Sequence, residues 1–197
     1  MSELVLYSAH PSRGLTNQWL LQELGVAYDL KLLDLEQDEH KTAAFLAINP
    51  MGRVPALVHD DAVVTETAAI TLYLAELYPE RGLTIPVGSP LRGEYLRWCL
   101  FPSITLEPTL FAEALNFKPE TYQPFADIET VAETLRVLLR HREFMVGGQF
   151  TAADVAVGSA IYWGLNLVPV LPKHPELVRY WSQLEQRDAW QAAVSAH

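Results

Sequence analysis

The stretch INPMGRVPALV, Ile48 to Val58, builds a strand-forming run around a residue that strands exclude. Val54, Ala56, Leu57 and Val58 read as a buried strand, yet Pro55 sits among them. Proline has no N–H to give a ladder, so in the middle of a sheet it removes a hydrogen bond. Two readings accommodate it. Either the strand lies at a sheet edge, or it begins at the proline. In the second case the preceding peptide bond is cis and the backbone of Val54 is left free to pair with something that is not protein.

Upstream of this stretch, Leu4 to Tyr7 is a short β-compatible run and SAHPSRG (Ser8 to Gly14) is a turn. From Leu15 to Leu24 the pattern is helical, with Leu20, Leu21 and Leu24 on one face. Gly25 stops that helix in the C-cap manner. Val26 to Leu33 reads as a second strand, so the order β-α-β implies a parallel pair. QDEHKTAAFLAI is a short, polar-led helix ending before Asn49 and Pro50. Downstream, HDDAVV makes a tight hairpin into Val63 and Val64. Thr65 to Tyr78 is a helix that Pro79 ends. This is the thioredoxin-like order.

The character changes at ERGLTIPVGSP, Glu80 to Pro90, where Gly and Pro cluster and no strand pattern follows. The expected organisation is therefore an α/β domain over 1–80, a linker over 81–90 and an all-α domain over 91–197. Within the last, helices are expected at roughly 91–115, 128–145, 152–165 and 175–193, the first of them interrupted by Pro102 and Pro108.

Composition narrows the function classes. The chain has 197 residues, enough for a sizeable core. Its formal net charge is −10 and it has no Lys/Arg-rich run, which makes nucleic acid and anionic membrane poor partners. No apolar stretch approaches the ~20 residues of a membrane span. Cys99 is the only cysteine, so no intrachain disulfide forms, in keeping with a cytoplasmic protein. The six histidines are scattered without paired spacing, so no metal site is expected.

Four motifs together carry a resemblance. They are NPMGRVPAL, then TETAAITLYL, FTAADVA, and HPELVRYWSQLEQRDAW near the end. The chain resembles the cytosolic glutathione transferase family over essentially its whole length, nearest to its theta-like and general bacterial branches. Thr67 stands where the family's second motif has serine, and Asp188 replaces a frequent proline. The resemblance implies a glutathione transferase fold, a homodimer, and a detoxifying transferase that activates glutathione for attack on a small hydrophobic electrophile. The other reading is a non-catalytic or weakly active glutathione-binding member serving as a binding module.

The resemblance also implies roles. The family keeps the bond before Pro55 cis, and Val54 pairs with the cysteinyl backbone of glutathione as an added strand would. Thr67, at a helix N-terminus, takes the γ-glutamyl carboxylate, and Glu66 takes the ammonium. Arg53, His40 and Lys41 are the cations available for the glycyl carboxylate. Each residue also has an ordinary role, as helix cap or solvated charge. The theta-like catalytic serine position is Ala9 here, a departure that leaves Ser12 and Ser8 as hydroxyl candidates, with Tyr7 and His10 as other donors and Arg13 as an electrostatic one. Ser12 is favoured because it lies nearest the helix start, where it could equally serve as an N-cap. Tyr95, Trp98, Leu106 and Phe111 are candidates for the electrophile pocket, expected between the two halves. Cys99, in the apolar run YLRWCLF, reads as core filler. With no cysteine in the first loop, mixed-disulfide chemistry is disfavoured.

Overall fold

The opening strand, β1 (Leu4–Ser8), is buried at four of its five positions. Such a strand needs partners on both sides, and it has them: β2 (Asp29–Leu32) pairs with it in parallel and β3 (Ala56–His59) antiparallel. The final strand, β4 (Ala62–Thr65), adds to β3 through the two-residue turn at Asp60 and Asp61, giving the order β2-β1-β3-β4. The computed structural model describes residues 3–121 and 124–196.

This topology answers the question raised by Pro55. The strand β3 is internal, paired on both sides, so the edge reading is wrong. It begins at Ala56, directly after the proline, and the Val54–Pro55 peptide is cis. The missing N–H therefore falls outside the ladder.

Three helices accompany the sheet in sequence: α1 (Gly14–Leu24), α2 (Ala43–Ile48) and α3 (Thr67–Leu77). The first ends at Gly25, whose left-handed backbone (φ 62°) lets its N–H reach the carbonyls of Leu21 and Gln22 at 3.1 Å. Every residue from Gly14 to Leu21 is buried, polar Thr16, Asn17 and Gln18 included. A helix buried all round must satisfy such side chains internally. The Gln18 carboxamide donates to the Ala193 carbonyl at 3.0 Å, and Trp19 meets Trp190 edge-on at 5.1 Å between ring centres. Both contacts are made to α9 (Asp188–Ser195).

The chain divides into two compact units. One comprises Met1–Arg81 with Asp188–His197, the other Gly82–Arg187. The sequence pattern runs 175–193 as one helix within a domain over 91–197. In the structure α8 (Pro175–Leu184) ends before Asp188, and α9 lies with the sheet.

The second unit contains α4 (Arg92–Phe101), α5 (Glu107–Ala114), α6 (Ile128–Leu139), α7 (Ala152–Tyr162) and α8. Between α4 and α5, Pro102–Leu106 forms a wide π-turn, and Trp163–Leu167 forms another after α7. The prolines thus widen the first helix of this unit without ending it.

The start of α7 carries the expected capping box. Thr151 Oγ1 accepts from the Ala153 N–H at 3.3 Å, and Asp154 Oδ2 accepts from the Thr151 N–H at 2.8 Å. Asp154 does more than cap. It also accepts from the Thr151 hydroxyl at 3.2 Å, the Met145 N–H at 2.8 Å and the Tyr180 hydroxyl at 2.9 Å. Burial pushes its carboxyl up to about 6, against the pull of these donors, which favour the charged form. Tyr180 is raised too, by its own burial and then by the neighbouring Asp154.

Candidate functional site

Strand register decides which loops meet. Tyr7 pairs with Ala56, and Ala56 pairs with Thr65. One end of the sheet therefore gathers the chain just beyond each of these residues: Ser8 to Arg13 after β1, Val54–Pro55 before β3, and Glu66–Thr67 after β4. Local sequence shapes each segment differently.

In the first loop, Ser12 is half-buried, and its hydroxyl oxygen accepts from the Ala9 N–H at 3.3 Å and the Gly14 N–H at 3.1 Å. A hydroxyl has two lone pairs and one proton. With both lone pairs engaged, Ser12 has only its proton left to offer, and it can act only as a donor to anything bound nearby. Arg13 is the N-cap of α1, so Ser12 lies one residue before the cap and does not form it; its bond to the Gly14 N–H leaves the donor role open. Ser8, the other serine candidate, is 0 % exposed, and its Oγ has no hydrogen-bond partner. It lies against Gly14, where an added Cβ would come within 2.0 Å of Ser8 Oγ. This buried position takes Ser8 out of a ligand's reach. Ala9 is buried and Arg13 half-buried.

The second segment is held by a residue that the sequence reading overlooked. Asn49 donates from Nδ2 to the Arg53 carbonyl at 2.7 Å and accepts from the Met51 N–H at 3.1 Å. Its own carbonyl takes the Gly52 N–H at 2.8 Å. Gly52 has φ 58°, which favours glycine, and a Cβ there would crowd the His40 carbonyl oxygen at 3.1 Å. This turn brings His40 beside the Arg53 segment. Of the three expected cations, Lys41 pairs with Asp38 at 2.8 Å on the surface, Arg53 is exposed, and His40 is half-buried. Among the described residues, neither the N–H nor the C=O of Val54 enters a hydrogen bond.

The third segment starts α3. No side chain caps this helix, whereas Thr42, Asp127 and Thr151 cap α2, α6 and α7. Glu66, in front of it, is held at φ 72° and ψ 123°, a region that costs a non-glycine residue of order 1–3 kcal/mol. Thr67 is the first helical residue. An uncapped helix start presents N–H groups and the positive end of the dipole, which together suit a carboxylate. Behind it lies Asn17, also missed in the sequence, whose carboxamide donates to the Thr67 carbonyl at 3.2 Å and to Thr71 Oγ1 at 3.0 Å. Its signal was the run of three consecutive polar residues, Thr16 to Gln18, near the start of the helix.

The structure therefore brings Ser12, Arg13, Val54, Pro55, Glu66 and Thr67 to one end of a single sheet, with His40 and Arg53 joined by the Asn49 turn. It treats the electrophile candidates differently. Tyr95 and Trp98, expected to wall a pocket, are instead 0 % and 1 % exposed, because the helical spacing of α4 turns both inward. Leu106 is buried as well, and Phe111 is 43 % exposed. Burial holds the Tyr95 phenol well above its ordinary range. Cys99 is buried. Among the described residues, no group of three His, Cys, Asp or Glu side chains is placed to hold a metal, and no helix is long and apolar enough to cross a membrane.

Comparison with known proteins gives two family matches. Residues 2–76 match the glutathione S-transferase N-terminal domain and residues 90–188 its C-terminal domain. Glutathione S-transferase GstA of Escherichia coli O157:H7 is 28% identical over 180 residues, 89% of this chain and 90% of its own. Glutathione S-transferase F9 of Arabidopsis thaliana is 27% identical over 213 residues, covering 98% and 97% of the two chains. Among solved structures, a sphingomonad glutathione S-transferase complexed with glutathione superposes with a TM-score of 0.79 at 28% identity, covering 98% of each chain. A glutathione transferase from Methylococcus capsulatus gives 0.80 at 28% identity and the same coverage.

Proposed function

The chain belongs to the glutathione S-transferase family, and from that premise we propose how it works as a glutathione transferase. Glutathione lies at the sheet end just described. Its cysteinyl backbone pairs with the N–H and C=O of Val54, extending the sheet as an added strand. Its γ-glutamyl carboxylate sits at the start of α3, on the Thr67 N–H and hydroxyl, and its ammonium meets Glu66. His40 and Arg53 face the glycyl carboxylate.

The observation that supports this reading most is the state of Ser12, whose lone pairs are both occupied by N–H groups. A free thiol has a pKa near 8.5, so at neutral pH it is mostly protonated. A hydroxyl that can only donate stabilises thiolate and not thiol, and Arg13 beside it adds positive charge. The thiolate then attacks an electrophilic carbon of a small hydrophobic substrate, forming a C–S bond. The departing pair leaves with the substrate's leaving group, or moves onto the substrate when the reaction is an addition. The set at Val54, Glu66 and Thr67 supports glutathione binding, and the donor-only hydroxyl of Ser12 favours thiol activation over a purely binding role. Detoxification, a cytoplasmic location, a homodimer and descent near the theta-like bacterial branch belong to the same proposal.

Titrating the thiolate absorbance of bound glutathione tests it. Ser12→Ala is expected to raise the bound thiol pKa by about one unit and to slow conjugation ~10-fold, with affinity little changed. Ser8→Ala is expected to titrate like wild type. A Ser12→Ala profile identical to wild type would overturn the hydroxyl mechanism and leave Arg13 and the helix start. Failure of wild type to bind glutathione by calorimetry would overturn the functional reading itself.

A further inference from the structure

Asn17 is 0 % exposed and lies one turn beyond Arg13 on α1. Its carboxamide orientation follows from its neighbours. Thr71 Oγ1 spends its proton on the Thr67 carbonyl at 2.8 Å, so it can only accept from Asn17. The Thr67 carbonyl can only accept as well. Both contacts at 3.2 and 3.0 Å therefore require the NH2 group, and the two chains of bonds close a triangle among Asn17, Thr67 and Thr71. Asn17 Oδ1 is left buried with no hydrogen-bond partner, a cost that an apolar residue at this place would not carry.

The triangle grips a particular peptide. The Thr67 carbonyl belongs to the peptide plane shared with Ala68, and in a trans peptide the C=O and N–H point opposite ways. Holding that oxygen from behind aims the Ala68 N–H outward from the start of α3. The grip comes from α1, the helix whose first turn is shaped by Ser12. One side chain thus fixes the anion-binding helix start in register with the segment that carries the hydroxyl.

We propose that Asn17 is a positioning residue for glutathione, setting the direction of the α3 N–H groups that receive the γ-glutamyl carboxylate. This rests on the assignment of that carboxylate to the start of α3. Asn17→Leu keeps the size, adds no charge and removes the donors, and Thr71→Val removes the hydroxyl from the triangle. Each is expected to raise the Kd of glutathione by calorimetry, and its KM, about ten-fold. The KM for the electrophile and kcat at saturating glutathione should hold. The double variant should lose little more than either single one, since the bonds act together. S-methylglutathione, which keeps the carboxylates and lacks the thiol, should lose affinity by the same factor.

A purely structural role would lower the melting temperature and leave these affinities alone. Variants that melt earlier yet bind glutathione as wild type does would therefore overturn the proposal while sparing the function. Wild type that binds neither glutathione nor its S-methyl form would instead overturn the assignment on which the proposal rests. Should Asn17→Leu fail to fold, Thr71→Val alone decides, and unchanged Kd there refutes the triangle's role.

Discussion

Replacing Asp154 by alanine removes the acceptor of four donors: the N–H groups of Met145 and Thr151 and the hydroxyls of Thr151 and Tyr180. The threonine hydroxyl can rotate to another acceptor. The other three stay buried and unpaired, each costing about 1–3 kcal/mol. Against this stands a gain. The carboxyl titrates at about 6 in the fold against an ordinary value of 3.8, so carrying its charge at pH 7 costs roughly 3 kcal/mol that the variant avoids. Orphaned donors of ~2 kcal/mol each exceed that relief, leaving a net loss of about 3 kcal/mol at pH 7. The sign with pH is distinctive. Because the folded value lies above the unfolded one, the fold holds a proton that the unfolded chain has released, and wild type gains stability as pH falls from 6 toward 4. The limiting slope is about 1.4 kcal/mol per pH unit, and alanine cannot titrate. Urea unfolding followed by tryptophan fluorescence, from pH 7.5 to 4, should show the gap between wild type and variant widening as pH drops. A gap that stays constant would refute the raised carboxyl, and a loss below ~0.5 kcal/mol at pH 7 would refute the reckoning of orphaned donors.

Two further outcomes follow from the packing, and a third tests the proposed homodimer. Gly14→Ala places a Cβ within 2.7 Å of Ser8 Cβ, so it should destabilise by about 1–3 kcal/mol in denaturant melts, and adding Ser8→Gly should restore most of it. Trp190→Ala removes a 4 % exposed ring from against Trp19 and should cost ~3–5 kcal/mol, read as a lower urea midpoint. Sedimentation at micromolar concentration should give twice the chain mass, and a single species at the chain mass would refute the dimer.

The sequence was most legible where the signal is local. The hairpin through Asp60 and Asp61, the Gly25 cap and the Thr151–Asp154 box each lie within a few residues, and each formed where the pattern put it. Strand β2 shrank from 26–33 to Asp29–Leu32; at its C-terminal end this follows from β1 ending at Ser8, whose register partner is Leu32. Periodicity reports that a helix has an apolar face but not what that face meets, which is why α9 was read with its neighbours in sequence. The same limit hid Asn17, whose partners lie 50 and 54 residues away. It also made Tyr95 and Trp98 ambiguous, since a wall and a core present the same spacing. Of the two serines, only three-dimensional placement separates Ser8 under Gly14 from Ser12 at the helix start.

The contacts of α1 with α9 set an order of events for the growing polypeptide. Gln18 and the Ala193 carbonyl are 175 residues apart in the chain. When β4 and α3 have left the ribosome, the sheet and three of its helices are available, yet the flank of α1 bearing Trp19 has no cover. That cover is encoded after the whole of the helical unit. At roughly 5–20 residues per second, residues 82–187 take ~5–20 s to synthesise, and only then does the Trp190 helix emerge. For that interval the nascent first unit holds an indole and a glutamine amide open to water or to a chaperone. The later-made unit can complete its own core first.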